Sequence, residues 1–526
     1  MATTANPAAA MSAPSEVIDP RRAIAFVAMV FGMFMSILDI QIVSASLAEI
    51  QAGLGAGTDE IAWVQTSYLI AEVVMIPLSG TLARILSTRV LFTISAAGFT
   101  AASMLCATAT NIDQMIVYRA IQGFIGGGMI PSVFAAAFTI FPPSKRNIVS
   151  PIIGLVATMA PTVGPTIGGY LSHAFSWHWL FLVNVIPGLG VTAAAWLLID
   201  FDKPNHSLMK RFDWVGLAAM AVFLGSLEYV LEEGNTKGWF QDEHIVMGTV
   251  ALAVGAAVFF YRAFKVDFPV VDLKAFNNMN FAVGSLFSFI MGVGIYGMTY
   301  LYPLYLGRIR GYDSLMIGET MFVSGLAMFF GAPLSGILSS KLDPRVMMMI
   351  GFAGFGASTY WITYITPDWD FWELFIPQIL RGLSMMLCMV PINNIALGTL
   401  PPQRIANASG LFNLTRNLGG AVGLALINTT LTERTDVHYA YLSERINAGN
   451  QAAQNWLSSV GANYSSYGLD GANIAIEKLA GVVKQQAWLL SFMDVFVGLS
   501  MLFFALIFLA MILRKPKAAA PAGAGH

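Results

Sequence analysis

The amino-acid sequence predicts an all-α polytopic membrane protein, and three observations predict it. Of 526 residues, 56% are hydrophobic and only 11% are charged, against about 25% charged in an ordinary soluble domain. Mean hydropathy is +0.67, so the apolar residues are too many for a water-facing surface and hydrocarbon must be the solvent. These residues also gather in stretches of about 20, the length that crosses a hydrocarbon core of about 30 Å at 1.5 Å per residue. That excludes a soluble enzyme. With 28 Lys+Arg against 30 Asp+Glu and a net charge of −2, no bulk basic surface points to nucleic acid.

Taken in order, residues 1–20 are Ala/Ser/Pro-rich, lack the pattern of a cleaved signal peptide, and read as a disordered tail. Arg21-Arg22 precedes a full-length span, so it anchors topology and does not signal twin-arginine export. Fourteen spans follow, at 22–48, 61–83, 88–109, 112–141, 147–172, 178–200, 214–233, 244–264, 281–306, 314–339, 345–366, 372–399, 406–430 and 487–513. An even number puts both termini on one side, and eighteen Lys/Arg fall there, from Arg21 to Lys517, against seven opposite. Both termini are therefore expected in the cytoplasm.

Span 4 and its following loop read Arg119, Gln122, Gly123, Pro131, Pro142-Pro143 and Lys145-Arg146; span 12 reads Arg381, Gly382, Pro391, Pro401-Pro402 and Arg404. That recurrence half a chain apart predicts two related six-helix bundles, residues 21–200 and 276–513, with two inserted helices in 201–275. The segment 431–486, outside the cytoplasm, is too small to bury a core alone and reads as a cap or docking surface. Residues 514–526 form a second cytoplasmic tail.

The motifs are similar to those of the major facilitator superfamily, and within it of fourteen-span drug/proton antiporters of the EmrB/QacA type, closest to the EmrB-like branch. Span 1 carries Leu38-Asp39-Ile40-Gln41-Ile42-Val43, span 2 opens Trp63-Val64-Gln65-Thr66-Ser67-Tyr68-Leu69, and span 4 carries Arg119, Gln122 and Gly123. Span 5 carries the antiporter motif in Pro161, Gly164, Pro165, Gly168 and Gly169, a conformational element in that family. One departure stands out: the loop after span 2 runs Gly80 to Arg89 with Arg84 where the superfamily has an acidic gate residue and Ser87 where it has glycine.

A charge at the bilayer centre costs at least about 2.5 kcal/mol on insertion scales and survives where it meets a partner or a wet cavity. Asp39 and Arg119 lie at matching depths in spans 1 and 4, and Glu72 lies near mid-membrane in span 2. They are the candidate proton-coupling residues, with a static ion pair as the alternative for the first two. The proton scheme requires Asp39 to face a central cavity. Candidate substrate contacts are Met35, Gln41, Tyr68, Gln122, Tyr296, Tyr300, Glu319 and Arg416. Glu228, Glu232 and Glu233, ending span 7, read as mostly interfacial.

No cofactor or metal is expected. Gly126-Gly127-Gly128 lacks the lysine of a phosphate loop, and none of the six histidines is deep in a span. The resemblance implies proton-coupled export of amphipathic toxic small molecules across a bacterial cytoplasmic membrane, with small-molecule substrate, protons and lipid bilayer as partners. It also implies docking to a periplasmic adaptor protein and an outer-membrane channel. Export or import of a specific metabolite or siderophore is the alternative. A lipid-modifying enzyme would need a His/Asp cluster or an activated nucleophile, which the spans do not offer.

Overall fold

In hydrocarbon a backbone has only itself to hydrogen-bond, so long uncharged runs of Leu, Ile, Val, Phe, Ala and Met become helices. The computed structural model describes residues 19–57, 60–142, 145–446, 449–465 and 470–512, and no strand occurs among them. The helices are α1 (Pro20–Ala45), α2 (Leu47–Leu54), α3 (Trp63–Leu86), α4 (Thr88–Ala107), α5 (Ile112–Gly126), α6 (Met129–Ile140), α7 (Arg146–Ala174), α8 (Trp179–Leu182) and α9 (Val185–Leu198). They continue as α10 (Trp214–Glu233), α11 (Glu243–Lys265), α12 (Met279–Tyr305), α13 (Ser314–Lys341), α14 (Pro344–Trp361), α15 (Phe371–Gly398), α16 (Pro402–Glu444), α17 (Gln451–Ser465) and α18 (Gly471–Ile512).

Aspartates set many of the boundaries. Asp19, Asp213, Asp242, Asp313, Asp343 and Asp370 cap α1, α10, α11, α13, α14 and α15, each accepting from a backbone N–H of the first turn. Such a cap is worth about 1 kcal/mol. Predicted span 1 breaks at Ser46, span 4 at Gly127-Gly128, and span 6 at Val183-Asn184.

Twelve of these helical segments are long and apolar enough to cross a membrane, so length and composition do not by themselves reach the expected fourteen. Outside the twelve are α7 and α16, which hold the predicted spans 147–172 and 406–430. Both are long, 29 and 43 residues. In α7 the apolar run Ile148–Ala157 is bounded by residues whose side chains are outside the described ones, so its place outside the twelve says nothing of its apolarity; α16 is less apolar, and it packs against α12, α18 and α3. A helix walled by protein can carry Asn407, Asn413 and Arg416 where a lipid-facing one cannot.

Among the first nine helices, α1 packs on α7 and α9, α3 on α5, and α4 on α5 and α9; from α12 onward, α12 packs on α16, α13 on α15, and α14 on α15 and α18. The two sets meet through α7 with α13, α3 with α16, α6 with α16 and α7 with α15, while α10 packs on α11 and α3. Near the face that holds Pro20 and Ser87 the junction is close. Ser150 Oγ donates to Asn394 Oδ1 at 2.8 Å and Ser409 Oγ to the Pro131 carbonyl at 3.0 Å. A Cβ on Gly80 would come within 2.7 Å of the Ala406 carbonyl.

The segment 431–486 is more helical than expected. α16 runs on to Glu444, α17 packs on α18, and α18 begins at Gly471, so three helices share this segment. Arg434 and His438 of α16 hold Asp494 of α18 at 2.6 and 2.8 Å.

Ser87 lies between α3 and α4 at φ 82°, ψ 153°, a region almost reserved for glycine that costs about 1–3 kcal/mol in other residues. Its hydroxyl accepts from Val90 N at 3.4 Å, a weak return. Ser87→Gly should therefore stabilise the detergent-solubilised protein by about 1 kcal/mol, read as a higher midpoint of thermal unfolding; an unchanged or lower midpoint refutes the strain.

Candidate functional site

The site is built on one carboxylate. On α1, Ser36 and Asp39 stand one turn apart and point into the first helical set; on α5, Arg119 and Gln122 do the same. Arg119 Nη1 donates to Asp39 Oδ2 at 2.6 Å and to Gln122 Oε1 at 2.7 Å, and its Nε donates to the Val64 carbonyl at 3.1 Å. The other Asp39 oxygen accepts from Asn184 Nδ2 at 2.7 Å and from Gln122 Nε2 at 3.2 Å. Ser103 of α4 closes the ring by accepting from Asn184 and Gln122, each at 3.1 Å, while it donates to the Phe181 carbonyl. Asp39 and Arg119 are both 0% exposed.

Asn184 reaches Asp39 because span 6 breaks there and α9 restarts beneath it. The guanidinium of Arg119 lies 4.2 Å from the Tyr68 ring centroid, and the Tyr68 hydroxyl is 3.3 Å from Ser36 Oγ. Gly123 admits this packing: a Cβ there would collide with the Tyr68 carbonyl.

The sequence expectation pairs Asp39 with Arg119, and they pair. The expected opening of Asp39 onto a central cavity is absent in this conformation: donors from α5 and Asn184 enclose both oxygens. Asn184 and Ser103 were not singled out from sequence; the available signal was a hydrogen-bonding side chain inside an apolar run.

Glu72 occupies the other side of the same helical set. It is 2% exposed, and its Oε1 is buried with no hydrogen-bond partner. Facing it from the second set, Tyr296 donates to Asn417 Oδ1 at 3.3 Å, and both Tyr296 and Tyr300 are partly buried. Arg416 donates to Asn393 Oδ1 at 3.3 Å and lies 5.2 Å from the ring centres of Phe134, across the junction, and Phe412. Met35 is buried, and Gln41 lies against Gly164, where a Cβ would collide with it. Gln122 and Tyr68, expected as substrate contacts, belong instead to the enclosed Asp39 network. Glu319 is exposed on α13 and apart from this group. In α7, Gly168 lies against the Ile42 carbonyl, Pro165 and Gly169 are buried, and the side chain of Pro161 is outside the described residues.

At the opposite end of α3, Arg84 is exposed, its guanidinium 5.8 Å from the Phe268 ring. The acid that holds this loop is Asp202, whose Oδ2 accepts from Thr88 N and Oγ1, both at 2.6 Å. Arg84, Thr88, Asp202, Lys203 and Ala406 border a cavity of about 430 Å³. No group of three or more metal-ligating side chains occurs among the described residues.

Residues 29–424 match the Major Facilitator Superfamily. The chain belongs to this superfamily. It is 41% identical over 494 residues to the colistin resistance protein EmrB of Acinetobacter baumannii, covering 94% of this chain and 96% of that one. It is 30% identical over 504 residues to the multidrug export protein EmrB of Escherichia coli, with 95% and 96% covered. The human organic anion transporter MFSD10 superimposes with a TM-score of 0.60 at 12% identity, covering 94% of this chain and all of that one, which shows a shared major-facilitator fold. The chain is a multi-pass membrane protein of the EmrB-like type.

The ring around Asp39 predicts its own energetics. Asn184→Leu and Gln122→Leu each leave buried partners unsatisfied and should cost about 1–3 kcal/mol, read as a lower unfolding midpoint in detergent. Because they share Asp39 and Ser103, the double variant should depart from additivity by about 0.5 kcal/mol or more; simple additivity would mean that the ring does not act as a unit.

Proposed function

We propose that this superfamily member is a proton-coupled multidrug efflux antiporter in a bacterial cytoplasmic membrane, with both termini in the cytoplasm. It exports amphipathic toxic small molecules by alternating access. The observation that carries this reading is Glu72, buried without a hydrogen-bond partner one helix away from the Asp39–Arg119 pair; the enclosure of that pair runs against proton exchange at Asp39 in this conformation and confines it to one in which the helices have moved. The printed names of the relatives support the cargo class, and the excess of Lys/Arg on one side supports the orientation.

In this scheme residues 21–200 and 276–513 rock against each other across the α7–α13 and α3–α16 junctions. The contacts Ser150–Asn394 and Ser409–Pro131 close the cytoplasmic side in this conformation. Glu72 and Asp39 are the exchanging carboxylates and Arg119 the fixed cation. A proton reaching Asp39 removes the charge that holds Arg119 and loosens α1 from α5; Arg119 then re-forms the pair when the proton leaves toward the cytoplasm. The enclosure of Asp39 makes this a step that needs the helices to move. Tyr296, Tyr300, Gln41 and Arg416 line the path taken by the substrate.

The energy suffices. Moving one charge through 100 mV is worth about 2.3 kcal/mol, and about 1.4 kcal/mol is tenfold. One inward proton against a neutral substrate therefore sustains roughly a fiftyfold gradient.

Asp39→Asn should abolish pH-gradient-driven ethidium transport in proteoliposomes while the protein still inserts and elutes as a single species; retained coupling refutes the mechanism. The helices between residues 431 and 486 support a further proposal, docking to a periplasmic adaptor protein that leads to an outer-membrane channel. Replacing α17 with a Gly/Ser linker should lower drug resistance of whole cells and spare transport by purified protein. Equal loss in both assays argues against docking.

A further inference from the structure

The two helices between the six-span sets, α10 and α11, have no part in the scheme above. α11 turns Val250, Val254, Tyr261 and Phe264 outward, as a lipid-facing helix does. α10 differs. Its residues Gly216, Met220, Leu224 and Glu228 are buried and recur every four positions, forming one helical face. α10 packs on α3: a Cβ on Gly225 would meet Ile70 at 3.4 Å, and Tyr229 stacks on Trp63 with ring centres 5.7 Å apart. This antiparallel register brings Glu228 to the level of Gln65, about two turns outward of Glu72.

The sequence reading left Glu228 and Glu233 at the interface, yet they are only 6% and 5% exposed. The apolar stripe of α10 continues into Glu228, which therefore enters the protein with the rest of the stripe. Its electrostatic neighbours are Glu232 on α10 and Glu72 on α3. Tyr296 of α12 is within electrostatic reach of Glu72, Glu228 and Arg416. Glu72 in turn senses Arg119 and Asp39, and Tyr68 lies beside it. Tyr300 and Glu233 flank Glu232. Lys237 is engaged elsewhere, 3.8 Å from Glu233 and donating to the Tyr229 hydroxyl at 3.1 Å. Among the described residues no cation is paired with Glu72, Glu228 or Glu232, and Gln65 Oε1 beside them is buried without a partner. Enclosed carboxylates without cations must be neutralised by something, and enclosure this tight suits a proton better than a drug.

We propose that α10 supplies the outer end of a proton path, entering at Glu232, passing through Glu228, and reaching Glu72. Each transfer moves one proton between oxygens. The Glu228 carboxyl gives its proton to the Glu72 carboxylate, about two turns inward, with water admitted between α10 and α3 as the carrier. Glu228 is left charged until Glu232 reloads it from the outer solution. The inference rests on Glu72 being a coupling carboxylate, and it gives the inserted helix pair a role in coupling beyond contact with lipid.

The test uses full-length protein in liposomes, ethidium as probe substrate, and an imposed pH gradient. Glu228→Gln should lower the maximal rate roughly tenfold or more, with the half-saturating ethidium concentration little changed, and Glu228→Asp should restore most of the rate. The rate of Glu228→Gln should also recover as the outer solution is made more acidic, a response that a packing defect would not give. A wild-type rate in Glu228→Gln, or a change confined to half-saturation, overturns the path. Should that variant fail to insert, Glu232→Gln, partly exposed at the entrance, gives the same reading, and an unchanged rate there overturns it. Glu72→Gln separates the two levels: if it abolishes coupling while Glu228→Gln does not, the path fails and the Glu72 reading stands. If Glu72→Gln couples normally, the underlying reading fails.

Discussion

An ion pair in hydrocarbon must find hydrogen-bond partners for its polar atoms, and the Asp39–Arg119 pair draws them from α1, α3, α4, α5 and the α8–α9 break, leaving Arg119 Nη2 buried without one. Its two carboxylate oxygens take three donors, from Arg119, Gln122 and Asn184. The guanidinium takes a carboxylate, an amide oxygen, a backbone carbonyl and the face of Tyr68. Removing one partner of such a pair leaves an uncompensated buried charge, typically a loss of 3–5 kcal/mol. α1, α4, α5 and the α8–α9 break are therefore fixed relative to one another by electrostatics as well as by packing.

The second helical set solves the same problem differently. Among the described residues no carboxylate pairs with the buried Arg381 and Arg416. Arg381 donates to Ser324 at 2.7 Å and lies over the Tyr302 ring; Arg416 uses Asn393 and two phenylalanine rings. Aromatic faces attract a desolvated cation by about 2 kcal/mol, enough to hold these arginines in place but without a proton acceptor. The second set therefore holds its buried cations on amide, hydroxyl and aromatic groups where the first uses a carboxylate.

Most of the fold was legible because hydropathy and charge speak directly in a membrane. Most span boundaries fell within a few residues, apart from the C-terminal end of α16 at Glu444 and the start of α18 at Gly471, and depth alone matched Asp39 to Arg119. What was not legible depended on helix rotation. Nothing in the spacing shows that Glu228 continues the buried stripe of α10, that Asn184 turns inward at a helix break, or that Tyr68 and Gln122 face the ion pair instead of a pathway. The apolarity signal was weakest for α16, since a helix surrounded by protein is released from the rule that lipid imposes. The loop after span 2 was misleading for another reason: the acid missing at Arg84 is supplied across the loop by Asp202, more than a hundred residues later.

α16 is one unbroken helix of 43 residues, roughly 65 Å long at 1.5 Å per residue. It meets α3 near its N-terminal end and is clasped to α18 at Asp494 toward its C-terminal end. A rod that long works as a lever. For a helix of this length, a tilt of about ten degrees about the N-terminal end would sweep the far tip through roughly 11 Å, a displacement much larger than that at the pivot.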